Sequence, residues 1–229
     1  MTAWPAPAKW PVTLRSGALV LRPIDRRDQA RWEEIRDHSR VWLAPWDATP
    51  PPETSRPHLT FAEWIRDQHA MARDARALPW ALAWDDGWPD HPIRHPALIG
   101  QVTVSSISWG SARSAQIGYW IDRSWAGRGL VPLGVALAAD YCFHTLRLHR
   151  LEIDVLPENA PSHRVIEKLG FTPDGGRRSS LHIAGVWRDH EAYVMTADEA
   201  PSSLVDRVLA ASSPVGYGLR GAQTSTTPA

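Results

Sequence analysis

The pattern of hydrophobic and polar residues predicts strands and helices that alternate along most of the chain. The segment ALVLRPI, residues 18–24, is typical of a strand, and residues 27–39 place apolar side chains among charges as a helix does. Thr60 followed by Glu63 forms a capping box, which predicts a helix that runs to about Leu78. We predict further strands over residues 80–84, 97–107, 115–121, 151–156, 179–184 and 191–196, and further helices over residues 130–144 and 159–169. This order is typical of an α/β or α+β fold, in which helices pack on a sheet.

The composition indicates one folded domain without a strongly charged surface. With 229 residues, 43% of them hydrophobic, the chain is long enough to bury a sizeable core. The 25 acidic and 25 basic residues cancel, which argues against a broad surface for nucleic acid or an anionic membrane. We expect neither a membrane span nor a secretory signal, because no apolar run reaches about 18 residues and no charged and then apolar region opens the chain. Residues 1–11 are expected to form a loose tail, and residues 212–229 to be disordered.

Cysteine and histidine limit the redox and metal chemistry of the chain. Cys142 is the single cysteine, which excludes an internal disulfide and a Cys-rich zinc site and fits a cytoplasmic location. We interpret it as a buried thiol. His91 and His95 have a spacing that suggests a metal, but the neighbouring prolines prevent the helix that would align them, so no metal site is expected. The basic residues are almost all arginine, which indicates a GC-rich bacterial source.

Residues 117–131, IGYWIDRSWAGRGLV, contain the most informative motif. A predicted strand ends at Ile121, and a loop with Gly127 and Gly129 on either side of Arg128 leads into a helix. The free N–H groups and the positive dipole end of a helix N-terminus favour a phosphate, and glycines let the backbone approach it closely. Taken alone, the motif fits an ordinary strand-to-helix turn equally well. It is neither a Walker loop nor the dinucleotide fingerprint.

A second motif, LEIDVLPENAPSHRVIEKLGF, spans residues 151–171 and places polar side chains where a helix follows a strand. Asn159 and Ser162 stand at the helix start, where they are placed to bind a ligand between the two strand ends; the alternative is that Asn159 is a simple N-cap. Glu152 and Asp154 are two residues apart on the strand and therefore face the same side. The alternative for both carboxylates is a solvated face of the sheet.

The segments WAGRGLV and ENAPSHRVIEKLGF together resemble the acyl-CoA-binding core of the GNAT acyltransferase superfamily. Two further segments, LVLRPIDRRD and HIAGVWRDHEAY, resemble its Rim-type branch, the RimJ/RimL-like ribosomal-protein N-terminal acetyltransferases. The resemblance covers about residues 12–197 and implies a single N-acetyltransferase domain, with residues 198–229 as a largely flexible extension. The implied fold is a mixed, mostly antiparallel sheet flanked by helices and splayed between its fourth and fifth strands. Acetyl-CoA would lie in the splay.

The resemblance also implies which residues hold the cosubstrate. Residues expected to hydrogen-bond the pantetheine arm through their backbone, like an added strand, are Tyr119, Trp120 and Ile121. Residues expected to hold the pyrophosphate are Gly127, Arg128, Gly129, Leu130 and Val131. Asn159 and Ser162 would line the pantetheine and thioester end. The loop departs from the family pattern Gln/Arg-x-x-Gly-x-Gly/Ala at Ala126 and Val131, and Ile166 stands where many members carry a tyrosine acid.

The reaction that the resemblance implies is direct transfer of an acetyl group to an amine. A neutral amine attacks the thioester, and a backbone N–H of the splayed strand stabilises the oxyanion. Asp154 is the first candidate for the base and Glu152 the second. Ser162 is the candidate hydrogen-bond donor to the departing sulfur; the alternative is an ordinary hydroxyl in the first turn of a helix.

Three functions fit the sequence. The first is acetylation of a protein or peptide N-terminal amine, with a ribosomal protein as the acceptor that the resemblance favours. The second is acetylation of a small-molecule amine, such as an antibiotic or a polyamine, and the third is a non-catalytic acyl-CoA-binding protein. We expect a monomer or homodimer without direct nucleic-acid or membrane partners. The loop with Trp42 and Trp46 is interpreted either as one wall of the acceptor site or as a plug in the core.

Overall fold

A computed structural model describes residues 10–52 and 59–211, and these residues form one sheet with helices on both faces. The strands are β1 (Leu14–Ser16), β2 (Leu19–Pro23), β3 (Leu78–Trp84), β4 (Ala97–Ser108), β5 (Ser114–Ile121), β6 (Arg150–Val155), β7 (Thr172–Ile183) and β8 (Val186–Thr196). Their order in the sheet is β1-β2-β3-β4-β5-β6-β8-β7. Neighbouring strands are antiparallel except β5 and β6, which are parallel.

Helices cover both faces of the sheet and bury their apolar residues against it. They are α1 (Gln29–His38), α2 (Arg40–Leu43), α3 (Phe61–Arg73), α4 (Leu130–Asp140), α5 (Ala160–Leu169) and α6 (Leu204–Ala211). Helix α4 is buried from Leu130 through Ala139 and lies at the centre of the larger hydrophobic core. A smaller core on the opposite face joins Ile35 of α1 and Ile65 of α3 to the sheet. No helix in residues 10–52 and 59–211 is both long and apolar enough to cross a membrane.

The sheet opens between β5 and β6. The two strands pair at three positions, Ser114 with Arg150, Ala115 with Leu151, and Gln116 with Glu152. Beyond these pairs β5 continues to Ile121 and β6 to Val155, but the two strands no longer pair with each other. A gap therefore widens between them. These strands are the fourth and fifth segments predicted from the sequence, and the predicted mixed, mostly antiparallel, splayed sheet is confirmed; β1 adds one to the strand count.

Several predicted boundaries differ from the structure, among them the start of β8, which lies at Val186 and not at residue 191. Helix α3 begins at the predicted capping box, but it ends at Arg73 and not near Leu78. The residue before a proline is pushed toward extended backbone, so Leu78, followed by Pro79, begins strand β3 instead. Strand β7 begins at Thr172, directly after α5, because Pro173 is tolerated on the edge strand of a sheet.

Residues 198–211 do not match the expectation of a largely flexible extension. They contain α6, whose buried Leu204, Val205 and Val208 join the larger core. The carboxylate of Asp140 accepts hydrogen bonds from the Leu204 and Val205 amides at 2.8 and 3.2 Å and thereby caps the helix. Trp10, placed in the expected loose tail, donates a hydrogen bond to His69 at 3.1 Å. The remainder of both predictions, residues 1–9 and 212–229, lies outside the described residues.

A buried ion pair holds the start of α1 against the sheet. The guanidinium of Arg22 donates to both Asp28 oxygens at 2.8 and 2.6 Å, and the two side chains are 7% and 2% exposed. We expect Asp28→Asn to lower the free energy of unfolding by about 3–5 kcal/mol, because it leaves a buried cation without its counter-charge. Denaturant unfolding measures this loss.

The matched control for this prediction is Asp74→Asn. Asp74 pairs with Arg76 at 3.2 Å, but both side chains are more than half exposed. Water screens such a pair, and its loss should cost less than about 1 kcal/mol. Similar losses of stability in the two variants would contradict the account.

Candidate active site

The gap between β5 and β6 forms a cavity of about 410 Å³. Strand β5 contributes residues 117–121 and strand β6, with the residue that follows it, contributes residues 153–156. Of the residues predicted from the sequence, those that line this cavity are Tyr119, Trp120, Ile121, Val131, Asp154, Asn159 and Ser162. The structure therefore brings the two sequence motifs to one place. Glu152 is absent from the lining, and Gly127, Arg128, Gly129 and Leu130 lie in the loop that leads to Val131.

The loop before α4 presents a row of free backbone N–H groups. Gly127 and Gly129 have φ angles of +78° and +75°, a left-handed conformation that favours glycine, and Gly129 is the N-cap of α4. Within the described chain, the amides of residues 127–131 donate no hydrogen bond. A Cβ atom added at either glycine would meet open space. Several unpaired N–H groups at the positive end of a helix dipole suit an anion such as a pyrophosphate.

Arg128 lies on the exposed side of this loop. Its guanidinium donates to the Ser124 carbonyl at 3.0 Å and stacks 4.7 Å from the centre of the Trp125 ring. These contacts hold the cation beside the row of amides. The departures from the family pattern leave the backbone geometry intact, because the Val131 side chain packs into the core and its amide stays free.

The start of α5 explains the spacing of Asn159 and Ser162. The Asn159 side-chain oxygen accepts the Ser162 N–H at 3.2 Å, so Asn159 is the N-cap of the helix. Both residues also line the cavity. The two interpretations of Asn159 are therefore compatible: its oxygen caps the helix while the residue forms part of the cavity wall.

The two candidate bases have different surroundings. Glu152 accepts hydrogen bonds from Arg150 at 2.9 Å and Arg177 at 3.0 Å. Burial acts to raise its pKa, but the hydrogen bonds and charge of Arg177 and Arg150 outweigh burial and hold the pKa below its usual range. A carboxylate tied to two guanidinium groups is a weak proton acceptor.

Asp154 has almost no hydrogen-bond partners. Its Oδ1 is buried and has no partner among the described residues, and its Oδ2 accepts only a long hydrogen bond from Gln116 at 3.4 Å. Burial raises the pKa of Asp154, and the negative charge of Glu152 adds to the rise. A carboxylate with a raised pKa and a free oxygen in a cavity has the properties of a general base.

Helix α2 and the loop that follows it form one wall of the cavity. Trp42 and Trp46 line it, and the Thr49 amide fixes the loop by donating to the His182 carbonyl at 2.8 Å. Arg36 pairs with Asp47 and lies 5.5 Å from the centre of the Trp120 ring. Of the two interpretations drawn from the sequence, the wall is the one that agrees with this geometry.

Several of the cavity side chains were not identified from the sequence, among them two that carry polar groups. His190 is buried on β8, on the same sheet face as Asp154, which pairs with Ala192. Tyr119 was assigned only through its backbone, although its buried side-chain hydroxyl is a second polar group of this cavity-lining residue. The available sequence signal for the Tyr119 side chain was the alternation of side chains along β5, which puts residues 117, 119 and 121 on one face.

Cys142 is buried as predicted, and burial raises its pKa, so the thiol is unreactive.

Comparisons with known proteins agree with this geometry. Residues 18–172 match the family described as acetyltransferase (GNAT) domain. Over 98 residues, which are 43% of this chain and 54% of the relative, the chain is 45% identical to the probable N-acetyltransferase YjcK of Bacillus subtilis. It is 28% identical to the [ribosomal protein uS5]-alanine N-acetyltransferase of Escherichia coli over 188 residues, 82% of this chain and 92% of the relative.

A solved structure extends the similarity to the whole fold. Mycobacterium smegmatis RimJ in complex with CoA-disulfide superimposes with a TM-score of 0.77 and 33% identity, over 88% of this chain and 95% of that one. The free amides of residues 127–131 and the cavity between β5 and β6 offer what a CoA molecule needs: donors for a pyrophosphate and an open strand edge for an amide-bearing arm. The chain belongs to the GNAT acetyltransferase family and is an N-acetyltransferase that uses acetyl-CoA.

Proposed function

We propose that this enzyme acetylates the N-terminal α-amine of a protein, and that a ribosomal protein beginning with alanine is the preferred acceptor. The observation that carries the proposal is the Asp154 carboxylate, whose Oδ1 has no partner among the described residues and which lines a cavity with tryptophan walls beside the opened strand β5. The similarity to RimJ and to the uS5-alanine enzyme supports the choice of acceptor.

Each site residue has a role in the proposed reaction. Acetyl-CoA supplies an acetyl group as a reactive thioester. The amides of residues 127–131 bind its pyrophosphate, and the open edge of β5 at residues 119–121 orients its arm. Asp154 takes the proton that the attacking amine loses, directly or through one water. A backbone N–H of β5 stabilises the oxyanion that forms as the amine adds.

The charge of the cavity favours an acceptor with a single amine over a polyamine. Among the described residues, its lining contains two carboxylates, Asp47 and Asp154, and Asp47 is paired with Arg36. A chain of several ammonium groups would require more uncompensated negative charge than Asp154 alone provides. An α-amine has a pKa near about 8, so a useful fraction is neutral at physiological pH and needs only a modest base.

A panel of acceptors tests the proposal. Peptides that begin with alanine or serine, the same alanine peptide with a blocked N-terminus, and spermidine are each incubated with enzyme and acetyl-CoA. We expect an acetyl group on the α-nitrogen of the alanine peptide, located by fragmentation mass spectrometry, and none on the blocked peptide. Acetylation of spermidine but not of the peptides would instead establish a small-molecule enzyme. Binding of acetyl-CoA without transfer to any amine would establish a non-catalytic protein.

The raised pKa of Asp154 predicts a two-stage pH dependence of kcat/KM for the amine. Between the pKa of Asp154 and that of the amine, only the amine must lose a proton, so log(kcat/KM) should rise with a slope of 1. Below the pKa of Asp154 both groups are protonated, and the slope should approach 2. Because burial raises that pKa, the steeper region should begin above the range of an ordinary aspartate. A slope of 1 throughout would exclude Asp154 as the base.

A further inference from the structure

The Tyr119 hydroxyl is a buried polar group that the proposed reaction does not yet use. By distance and angle it has no hydrogen-bond partner among the described residues, and Tyr119 is one of the residues that line the cavity. Buried hydroxyl groups are nearly always paired, because an unpaired one loses its hydrogen bonds to water without replacement. Such a group on a residue that lines a ligand cavity points to a partner that arrives with the ligand.

The Tyr119 side chain lies on the opposite face of the sheet from Asp154. Its ring packs against the larger core, beside α4 and α5, whereas the neighbouring Trp120 packs against the smaller core. On β6, Ile153 and Val155 point into the larger core, so Asp154 between them faces the other way. The gap therefore has a base on one side and a phenol on the other.

Ser162 is a polar neighbour of Tyr119. Its hydroxyl is close enough to lower the pKa of Tyr119 as a side-chain hydrogen bond to the phenolate would, but the two hydroxyl groups do not meet the distance and angle of a hydrogen bond in this structure. Burial raises the pKa of Tyr119 to about 12, and Ser162 offsets only part of the rise. The phenol is thus protonated at every physiological pH and is always available as a donor. Ile166, buried on the same helix as Ser162, offers no donor.

We propose that the Tyr119 hydroxyl, beside that of Ser162, donates a hydrogen bond to the thioester sulfur as the carbon–sulfur bond breaks. This inference rests on the proposed function. The amine nitrogen forms its bond to the carbonyl carbon, Asp154 receives the amine proton, and the electron pair of the broken bond goes to sulfur. Attack from the Asp154 side and departure toward Tyr119 place the two events on opposite faces of the gap.

Tyr119 stabilises the thiolate without transferring its proton. A thiol has a pKa of about 8.5, so a phenol whose pKa is about 12 is the weaker acid and keeps its proton. The thiolate leaves as an anion, and the proton held by Asp154 returns to solvent. A charge-assisted hydrogen bond of this kind is stronger than one between neutral groups, so its contribution grows as charge develops on sulfur.

The test uses Tyr119→Phe, which removes only the hydroxyl. We expect kcat to fall about 10- to 100-fold with little change in KM for acetyl-CoA, the usual range for losing one hydrogen bond to a charged group. The melting temperature should stay the same or rise, because an unpaired buried hydroxyl is removed. Tyr141→Phe removes a hydroxyl from a buried residue outside the cavity and should leave kcat unchanged.

A second readout does not depend on the acceptor. The thiol of CoA bound to the protein is titrated by its ultraviolet absorbance, with desulfo-CoA as the blank. We expect the bound thiol to have a pKa about 1 to 2 units lower in the wild type than in Tyr119→Phe, since only the wild type donates to the thiolate. Equal thiol pKa values in the two proteins would overturn the proposal, even if the peptide acceptor is confirmed. A difference in thiol pKa would sustain it, even if the acceptor proves to be another amine.

Discussion

Replacing Asp154 by asparagine should lower kcat for the alanine peptide by about 10²- to 10⁴-fold, the usual contribution of a positioned general base. Asparagine has nearly the same shape and keeps the contact with Gln116, but its amide cannot accept the amine proton at neutral pH. The affinity for acetyl-CoA should change little. Steady-state kinetics with the peptide and calorimetric titration with acetyl-CoA measure the two quantities separately.

The stability of this variant separates catalysis from folding. Asp154 buries an oxygen without a partner, so its neutral replacement should unfold at the same or a higher temperature. Glu152→Gln provides the comparison on the same strand, since it loses ion pairs with Arg150 and Arg177. We expect Glu152→Gln to change the stability more, and kcat less, than Asp154→Asn does. The reverse pattern would move the role of base from Asp154 to Glu152.

Replacing Gly129 by glutamate should weaken acetyl-CoA binding by about 10²- to 10³-fold. The new side chain enters open space at the N-terminus of α4 and places a carboxylate where the amides of residues 127–131 attract a pyrophosphate. At about 4 Å and an effective dielectric constant near 20, two like charges repel by about 4 kcal/mol, and part of that is lost to screening. Calorimetric titration with acetyl-CoA measures the change.

Gly110→Glu is the matched control for backbone strain. Gly110 has a φ of +74°, against +75° at Gly129, and an added Cβ also meets open space there. Both variants should lose about 1–2 kcal/mol of stability from the left-handed conformation. Gly110 lies in the turn between β4 and β5, at the far end of β5 from the cavity, so acetyl-CoA affinity should be retained. Equal losses of affinity would assign the effect to strain.

The parts of the fold that the sequence predicted are those with strong local signals. The capping box of Thr60 and Glu63 and the Asn159 and Gly170 caps mark helix ends that depend on nearby residues alone. Helix α6 was missed because its apolar side is short and gains stability only by packing on the core formed by distant residues. The early start of β7 was missed because pairing with β8 decides it.

The candidate site also has one part that the sequence predicts and one part that it does not. The free amides of residues 127–131 follow from local glycine geometry, which the sequence displays. The difference between Glu152 and Asp154 does not, because Arg177 comes from strand β7, on the far side of β8 in the sheet. Two carboxylates on one strand face are equivalent until the tertiary fold brings a cation to one of them.

A bisubstrate analogue tests most directly the central claim that acetyl-CoA and a protein N-terminus meet in the gap between β5 and β6. In this analogue the CoA sulfur is joined through an acetyl spacer to the α-nitrogen of an alanine peptide. Because one molecule then fills both sites, we predict that it binds at least about 100-fold more tightly than acetyl-CoA, and that Asp154→Asn still binds it. The analogue joined to spermidine should show no such gain. A peptide analogue that binds no better than acetyl-CoA, or worse than the spermidine analogue, would contradict the account.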